Sequence, residues 1–284
     1  MKYTIIGAAN VDIMTRSKAK IIHGDSNPAE VSISAGGVAR NIAESLARHR
    51  AKVNFITAVG DDPLGNFLKE GCEACGINTS AWIIRQNTGT GVYSAAIDSD
   101  GELYTAFNAM TVQESIKISE ITQRKDIIKT ADLLIAETNL TEKILKAVFD
   151  IRGELPVMVD AVSAVKTPRI ENMLSRISLL KLNRLEAERL TGLTLDTKEK
   201  LKHVCYSILN RGVLRVFITL GIAGVCAADR SGVIFVPAQP VAVRNVTGAG
   251  DAFSAGVALR FNEDLRTQAE YGTELAALHL RSNI

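Results

Sequence analysis

Asn245-Val246-Thr247-Gly248-Ala249-Gly250-Asp251-Ala252-Phe253 follows an extended apolar run and opens a helical one. A glycine-rich turn leading into a helix leaves several backbone N–H groups without intrahelical partners, and they point the same way. The helix dipole adds partial positive charge at that end, so the turn suits an anion. Gly248 and Gly250 let a phosphate approach without meeting a Cβ. An acid beside such a turn repels an anion, so binding alone does not account for Asp251. Asp251 fits if it takes a proton from a hydroxyl while the turn absorbs charge building on a transferred phosphoryl group. The stretch therefore reads as the catalytic centre of a kinase for a small alcohol. A bare Gly-x-Gly-Asp is more often a plain strand-to-helix turn, so the rest of the chain decides.

The 284 residues are enough for one large α/β domain or two small ones, and the 46% hydrophobic content supports a sizeable core. A formal net charge of +2 predicts neither a basic nucleic-acid surface nor an acidic tail. No apolar run reaches the roughly 18 residues of a membrane span. Met1 to Gly7 starts directly as a strand, without a signal-peptide layout, which predicts a cytoplasmic protein with no membrane partner. Cys72 and Cys75 form one C-x-x-C, but no second pair or nearby histidine completes a zinc site, so they read as buried thiols. No Walker loop, dinucleotide fingerprint or nucleophile elbow is present. Those absences count against a P-loop enzyme, a dehydrogenase and a serine hydrolase.

From the N-terminus, Tyr3 to Ala9 reads as a central strand with Asn10 and Asp12 at its C-terminal end, both pointing the same way. Ligands of open α/β sheets bind beyond such ends, so these two side chains are placed for sugar hydroxyls, or equally for a turn. Residues 13–35 leave the pattern, with a turn cluster at Gly24 to Pro28 and strict alternation at Val31 to Ser34. Gly36 and Gly37 then open a helix that carries Asn41 about one turn along. Lys52 to Gly60 reads as one strand, and residues 91–109 as a hairpin around Asp98 to Gly101. The excursion and the hairpin together predict a small second sheet beside the site, a lid. From about Ala131 strands and helices alternate, with strands ending at Glu137, Asp160, Asn183 and Gly221. That repetition predicts a mostly parallel sheet covered on both faces. Asn183 and Glu186 have capping-box spacing; the functional alternative is that they reach phosphate and, through water, Mg²⁺. Thr219, Gly221 and Gly224 form a loop where a nucleotide fits on backbone.

Four features in this order, Asn10-Val11-Asp12, Gly36-Gly37 with Asn41, Asn183 with Glu186, and Gly248-Ala249-Gly250-Asp251, resemble the ribokinase family of carbohydrate and nucleoside kinases over nearly the whole chain. Asp25 to Pro28 leading into Gly36 to Glu44, and Val159 to Lys166, are similar to the pseudouridine kinases within it. The resemblance implies a single three-layer α/β/α domain over 1–284, with a lid from about 13–35 and 91–110 inserted into the core. It implies transfer from ATP to the 5′-hydroxyl of pseudouridine. Asp251 would be the general base, and the N–H groups of Gly248, Ala249 and Gly250 the anion hole. Asn10, Asp12, Gly36, Gly37 and Asn41 would hold the substrate, with Glu137 and Lys166 as further candidates. Asn183, Glu186, Thr219, Gly221, Gly224 and Thr247 would serve ATP and Mg²⁺, the metal through Glu186 and water. An exposed lid face would allow a homodimer.

Two departures stand out. Asn245 replaces an Asp common in the family, which puts activation by K⁺ in doubt. The chain also ends at Ile284, where relatives usually continue with elements covering the adenine, so either a more open pocket or an incomplete chain is expected. Three other readings remain: a ribokinase or another nucleoside kinase, a non-catalytic ligand-binding protein on the same scaffold, and a dinucleotide-dependent dehydrogenase.

Overall fold

The computed structural model describes residues 1–241 and 246–282. The chain opens with β1 (Lys2–Ile6), β2 (Asn10–Ser17), β3 (Ala29–Gly36), α1 (Val38–Arg48), β4 (Lys52–Ile56), β5 (Ala58–Gly60) and α2 (Pro63–Ala74). Then come β6 (Ile83–Arg85), the hairpin β7 (Val92–Ile97) and β8 (Leu103–Ala109), and three short helices, α3 (Thr111–Glu114), α4 (Ile118–Gln123) and α5 (Lys125–Lys129). The β–α repetition follows: β9 (Leu133–Glu137), α6 (Glu142–Ile151), β10 (Val157–Asp160), a 3₁₀ stretch (Thr167–Arg176), β11 (Leu179–Asn183), α7 (Arg184–Thr191), α8 (Lys198–Asn210) and β12 (Arg215–Thr219). The last elements are β13 (Val225–Asp229), β14 (Gly232–Val236), α9 (Ala249–Leu259) and α10 (Leu265–Ser282).

Eight strands form the main sheet in the order β14-β13-β12-β11-β10-β9-β1-β4. The pairs from β4 to β12 are parallel, whereas β12–β13 and β13–β14 are antiparallel. Strand alternation sorts the core into two layers. Leu134, Val157, Val159, Leu180 and Val216 pack with helices α6, α7 and α8. Leu133, Ile135, Met158, Leu179 and Phe217 face the other way, against α1, α2, α9 and α10. The sheet is thus sandwiched between helices, the α/β architecture expected. Among the described residues no helix is long and apolar enough to cross a membrane.

A second sheet of four strands, β3-β2-β7-β8, is built from residues of the excursion and the hairpin. Residues paired across strands share a face. The row Ser34, Asp12, Tyr93 and Asn108 lies on one face, and Ile33, Ile13, Ser94 and Phe107 on the other. On that second face Ile33 and Phe107 stand 58% and 68% exposed.

Two strand boundaries differ from the sequence expectation. β1 stops at Ile6, and Asn10 and Asp12 begin β2 of the small sheet rather than ending a central strand. Past Gly7 the chain leaves the ladder, with Ala8 N donating to Glu137 Oε1 and Ala9 N to Thr57 Oγ1; Gly7 itself sits over the Glu137 side chain, where any Cβ would collide. Lys52 to Gly60 is two strands, broken at Thr57. The Thr57 hydroxyl there accepts from Ala9 N (3.2 Å) and from Gln113 Nε2 (3.1 Å), which draws the chain out of the main sheet. All four cysteines are free; Cys72 is buried, but Cys75 only partly so.

Helix α9 is seated by contact between backbones. A Cβ on Gly256 would lie 2.7 Å from Gly272 Cα, and one on Gly272 would lie 2.8 Å from the Phe253 ring. Gly256→Ala should therefore cost about 1–3 kcal/mol in urea denaturation, the usual range for overpacking. Gly71→Ala meets nothing within 4 Å on the exposed side of α2, and should gain about 0.5–1 kcal/mol. Equal effects at the two positions would contradict this packing.

Candidate active site

The parallel register lines up three charged side chains. Asp160 of β10 stands opposite Glu137 of β9 on one side and Lys181 of β11 on the other. Alternation points all three towards the α1 and α9 side, at the carboxyl end of the sheet. Asp251, in the first turn of α9, joins them from above. Lys181 Nζ lies 3.1 Å from Asp160 Oδ2, and Ser254 Oγ donates to the same oxygen at 2.8 Å. A Cβ on Gly250 would come within 3.1 Å of Lys181 Nζ, so the ammonium lies just under the start of α9.

Gly248 takes a left-handed φ of 83° as N-cap of α9, and no side chain caps the helix. Helix geometry leaves the first-turn N–H groups without intrahelical partners. The N–H of Ala249 turns back to Val246 O at 3.3 Å. Of the anion-hole donors expected from the sequence, Ala249 is thus weakly engaged by a peptide carbonyl. His279 of α10 bonds Thr247 O through Nε2 at 2.9 Å and packs against Gly248, bracing the turn. Asn245 lies outside the described residues.

Asp251 is almost wholly buried, at 9% exposure. Its Oδ2 accepts from Asn41 Nδ2 at 2.7 Å. Burial first, and then the neighbouring Asp160, raise its pKa to about 7 against the pull of Lys181, the Asn41 bond and Arg40. Burial also works against the charge of Lys181, but Asp160, Glu186 and Asp251 together hold its pKa above the ordinary lysine value.

Asp12, on β2 of the small sheet, accepts from Asn10 Nδ2 at 2.6 Å. Burial lifts its pKa, against the pull of Asn10 and Arg40. A Cβ at Gly36 would strike the Asp12 carboxylate, and one at Gly37 would strike Ala8 O, so Gly36 admits close packing on Asp12 and Gly37 close packing on the β1–β2 turn. Glu137 is placed differently from the expectation. It is fully buried beneath the β1–β2 turn and accepts from Ala8 N (2.5 Å) and Asn139 N (2.6 Å). Burial drives its pKa to about 7, opposed by those two N–H groups. Lys166 donates to Asn139 Oδ1 beside it, with its pKa lowered by burial. Glu137 thus supports from below the turn that leads to Asn10 and Asp12, and Lys166 lies beside it through Asn139.

Asn183 and Glu186 form the full capping box. Asn183 Oδ1 accepts from Glu186 N at 2.9 Å, and Glu186 Oε2 accepts from Asn183 N at 2.7 Å. Burial raises the Glu186 pKa, with Lys181 opposing. Thr219 donates to Leu182 O at 3.3 Å at the edge of the loop holding Gly221 and Gly224. In that loop Gly224 has a φ of 94° and touches Val236 O too closely for any side chain.

Two clefts meet at the start of α9. One, of about 660 Å³, is lined by Asp12, Ser34, Arg40, Asn41, Thr247 and Gly248. The other, of about 480 Å³, is largely apolar and is lined by Thr219, Gly221, Gly224, Ala249, Gly250 and Phe253. Thr247, expected on the nucleotide side, thus lines the first cleft. Arg40, Asp160, Lys181, Ser254 and His279 were not anticipated. A charged Lys181 inside the apolar strand Leu179-Leu180-Lys181-Leu182 is the one signal that could have marked this group.

The chain matches the model of the pfkB family carbohydrate kinases over residues 2–283. It is 36% identical over 255 residues to the pseudouridine kinase of Escherichia coli (strain K12), covering 89% of this chain and 82% of that protein. It is 25% identical over 291 residues to the ribokinase of Staphylococcus aureus (strain COL), covering 99% of this chain and 94% of that protein. A carbohydrate kinase from Agrobacterium tumefaciens superposes with a TM-score of 0.86 at 26% identity, over 98% of this chain and 90% of that one. The ribokinase of Arabidopsis thaliana, solved with ribose and ATP, shares the fold at a TM-score of 0.86 and 22% identity, over 99% of this chain and 92% of that one. The chain belongs to the pfkB family of carbohydrate kinases, phosphotransferases whose acceptor is an alcohol.

Proposed function

We propose that the protein transfers the γ-phosphoryl group of ATP to the 5′-hydroxyl of pseudouridine. The observation that carries this is the pair of clefts on either side of the α9 N-terminus, with Gly248 on one wall and Ala249 and Gly250 on the other. A nucleoside held in the first cleft and a nucleotide in the second would meet at Asp251. The choice of pseudouridine is supported by the 36% identity to the Escherichia coli enzyme.

In this reading Asn10 and Asp12 hold ribose hydroxyls, with Gly36 and Gly37 giving close approach. Asp251 takes the proton from the attacking hydroxyl. The first-turn N–H groups of α9 and its dipole take up charge on the transferred group. Thr219, Gly221 and Gly224 cradle the nucleotide. Among the described residues no group of three His, Cys, Asp or Glu side chains could hold a metal ion. That suits Mg²⁺ carried mainly on phosphate and water, with Glu186 of the capping box reaching it through water. When bound, the metal neutralises charge on the phosphates. The small sheet serves as the lid, and its exposed face with Ile33 and Phe107 joins two copies of the chain.

A panel of pseudouridine, uridine, ribose and adenosine, read by ADP formation, tests the substrate. Pseudouridine should give the highest kcat/KM, and a clear preference for ribose would replace this reading with a ribokinase. Asp251→Asn should lower kcat by about 10²–10⁴-fold while ATP binding persists; retained turnover would remove the base. Asp251 must be ionised to accept a proton, and burial holds its pKa at about 7. The wild-type kcat/KM should therefore fall as pH drops through about 7, and a profile flat down to about pH 5 would contradict this. Phe107→Glu should shift the protein towards monomer in sedimentation, and an unchanged mass would argue against joining through the lid.

A further inference from the structure

Arg40 plays no part in the mechanism above, yet it holds the contact that positions Asp251. It lies on α1 next to Asn41, with its side chain only 12% exposed. Its Nη2 and Nε both donate to Asn41 Oδ1, at 2.6 and 3.2 Å. Nη2 also pairs with Glu44 at 2.8 Å, and Arg48 holds Glu44 at 2.7 Å. From the other end of the amide, Asn41 Nδ2 donates to Asp251 Oδ2 at 2.7 Å. A side-chain amide can turn over with almost no change of shape, so its neighbours decide its orientation. A guanidinium only donates, so it takes the oxygen end and leaves the NH₂ end for the carboxylate. Turned over, the amide would set oxygen against Asp251 and NH₂ against Arg40, two repulsive contacts. Asp251 Oδ1 accepts no hydrogen bond among the described residues, so one oxygen is held and the other is left for the acceptor.

We infer that Arg40 is a positioning residue for Asp251, acting through the Asn41 amide, whose orientation it locks. Asn41 then serves the base, beside the contact with the ribose hydroxyls that family resemblance implies. The inference rests on Asp251 being the base. The other charges around Asp251 are Asp160 from β10 and Lys181 from β11, with His279 of α10 packed against Gly248. Asp12 of β2 feels the same guanidinium. Arg40 is thus a cation of α1 that acts on both Asp12 and Asp251.

The test uses Arg40→Met and Arg40→Lys, each alone and combined with Asn41→Leu. Removing a cation and loosening a donor both favour the protonated acid. Arg40→Met should therefore move the acidic limb of kcat/KM about one unit towards alkaline pH. It should lower kcat more than it changes the acceptor KM, and Arg40→Lys should shift the limb less. On the Asn41→Leu background, Arg40→Met should lower kcat less than it does on the wild type. A ¹³C titration of the Asp251 carboxyl in the ligand-free variants should give the same order of midpoints without requiring turnover. Limbs and carboxyl midpoints that stay in place in both Arg40 variants would overturn the inference. So would rates lost equally at every pH together with thermal stability. A wild-type protein without phosphotransferase activity would remove the base assignment instead, and the carboxyl titration would still judge the link to Arg40.

Discussion

The rest of the structure depends on how buried charge is matched at the carboxyl end of the sheet. Asp160, Glu137 and Glu186 are at most 1% exposed and Asp251 is 9% exposed, with Lys181 among them at 6%. Unpaired charge in such a place is expensive, and removing one member of a buried pair strands the other. Lys181 answers Asp160 at 3.1 Å, and the backbone N–H groups of Ala8 and Asn139 answer Glu137. Asp251 accepts from one amide, Asn41, and lies near both the Asp160 anion and the Lys181 ammonium, and burial raises its pKa as it does that of Glu137. On the proposed function, that raised pKa leaves Asp251 poised near neutrality to take up a proton.

The fold brings these charges together by topology. Parallel strands in register bring Glu137, Asp160 and Lys181 into one row, and alternation turns the row towards a single helical layer. Helix α9 can lie close over that row because Gly256 and Gly272 let it press against α10. Helix α1 then closes the side through Asn41. The two clefts share the start of α9, so the same turn closes one and opens the other.

Much of this was legible in the sequence because it rests on local patterns. The β–α repetition predicted the sandwich, and the alternation at Val31 to Ser34 with the hairpin at residues 91–109 predicted a second sheet. Gly248 to Asp251 announced itself by composition. The strand boundary at Asn10 differs because Ala8 and Ala9 turn their N–H groups to the Glu137 and Thr57 side chains, contacts between residues far apart in the chain. Arg40, Asp160 and Lys181 were missed for a similar reason. Their meaning lies in register and in helix placement, which no short spacing encodes. Asn41 was visible as a polar residue near the cleft, but its partner in α9 was not. The antiparallel turn of β12 to β14 interrupts the parallel run without any strong turn signal beyond Gly224 and the Arg230 to Gly232 bend.

On the proposed function, an alcohol and a nucleotide meet across the α9 N-terminus, with Asp251 on the alcohol side. A crystal structure with pseudouridine and a non-hydrolysable ATP analogue tests this most directly. The account predicts the 5′-oxygen within hydrogen-bond reach of Asp251, about 2.6–3.2 Å, and the terminal phosphate on the first-turn N–H groups of α9. A nucleoside whose 5′-oxygen points away from Asp251, or a nucleotide bound outside the cleft of Thr219 and Gly224, would contradict it.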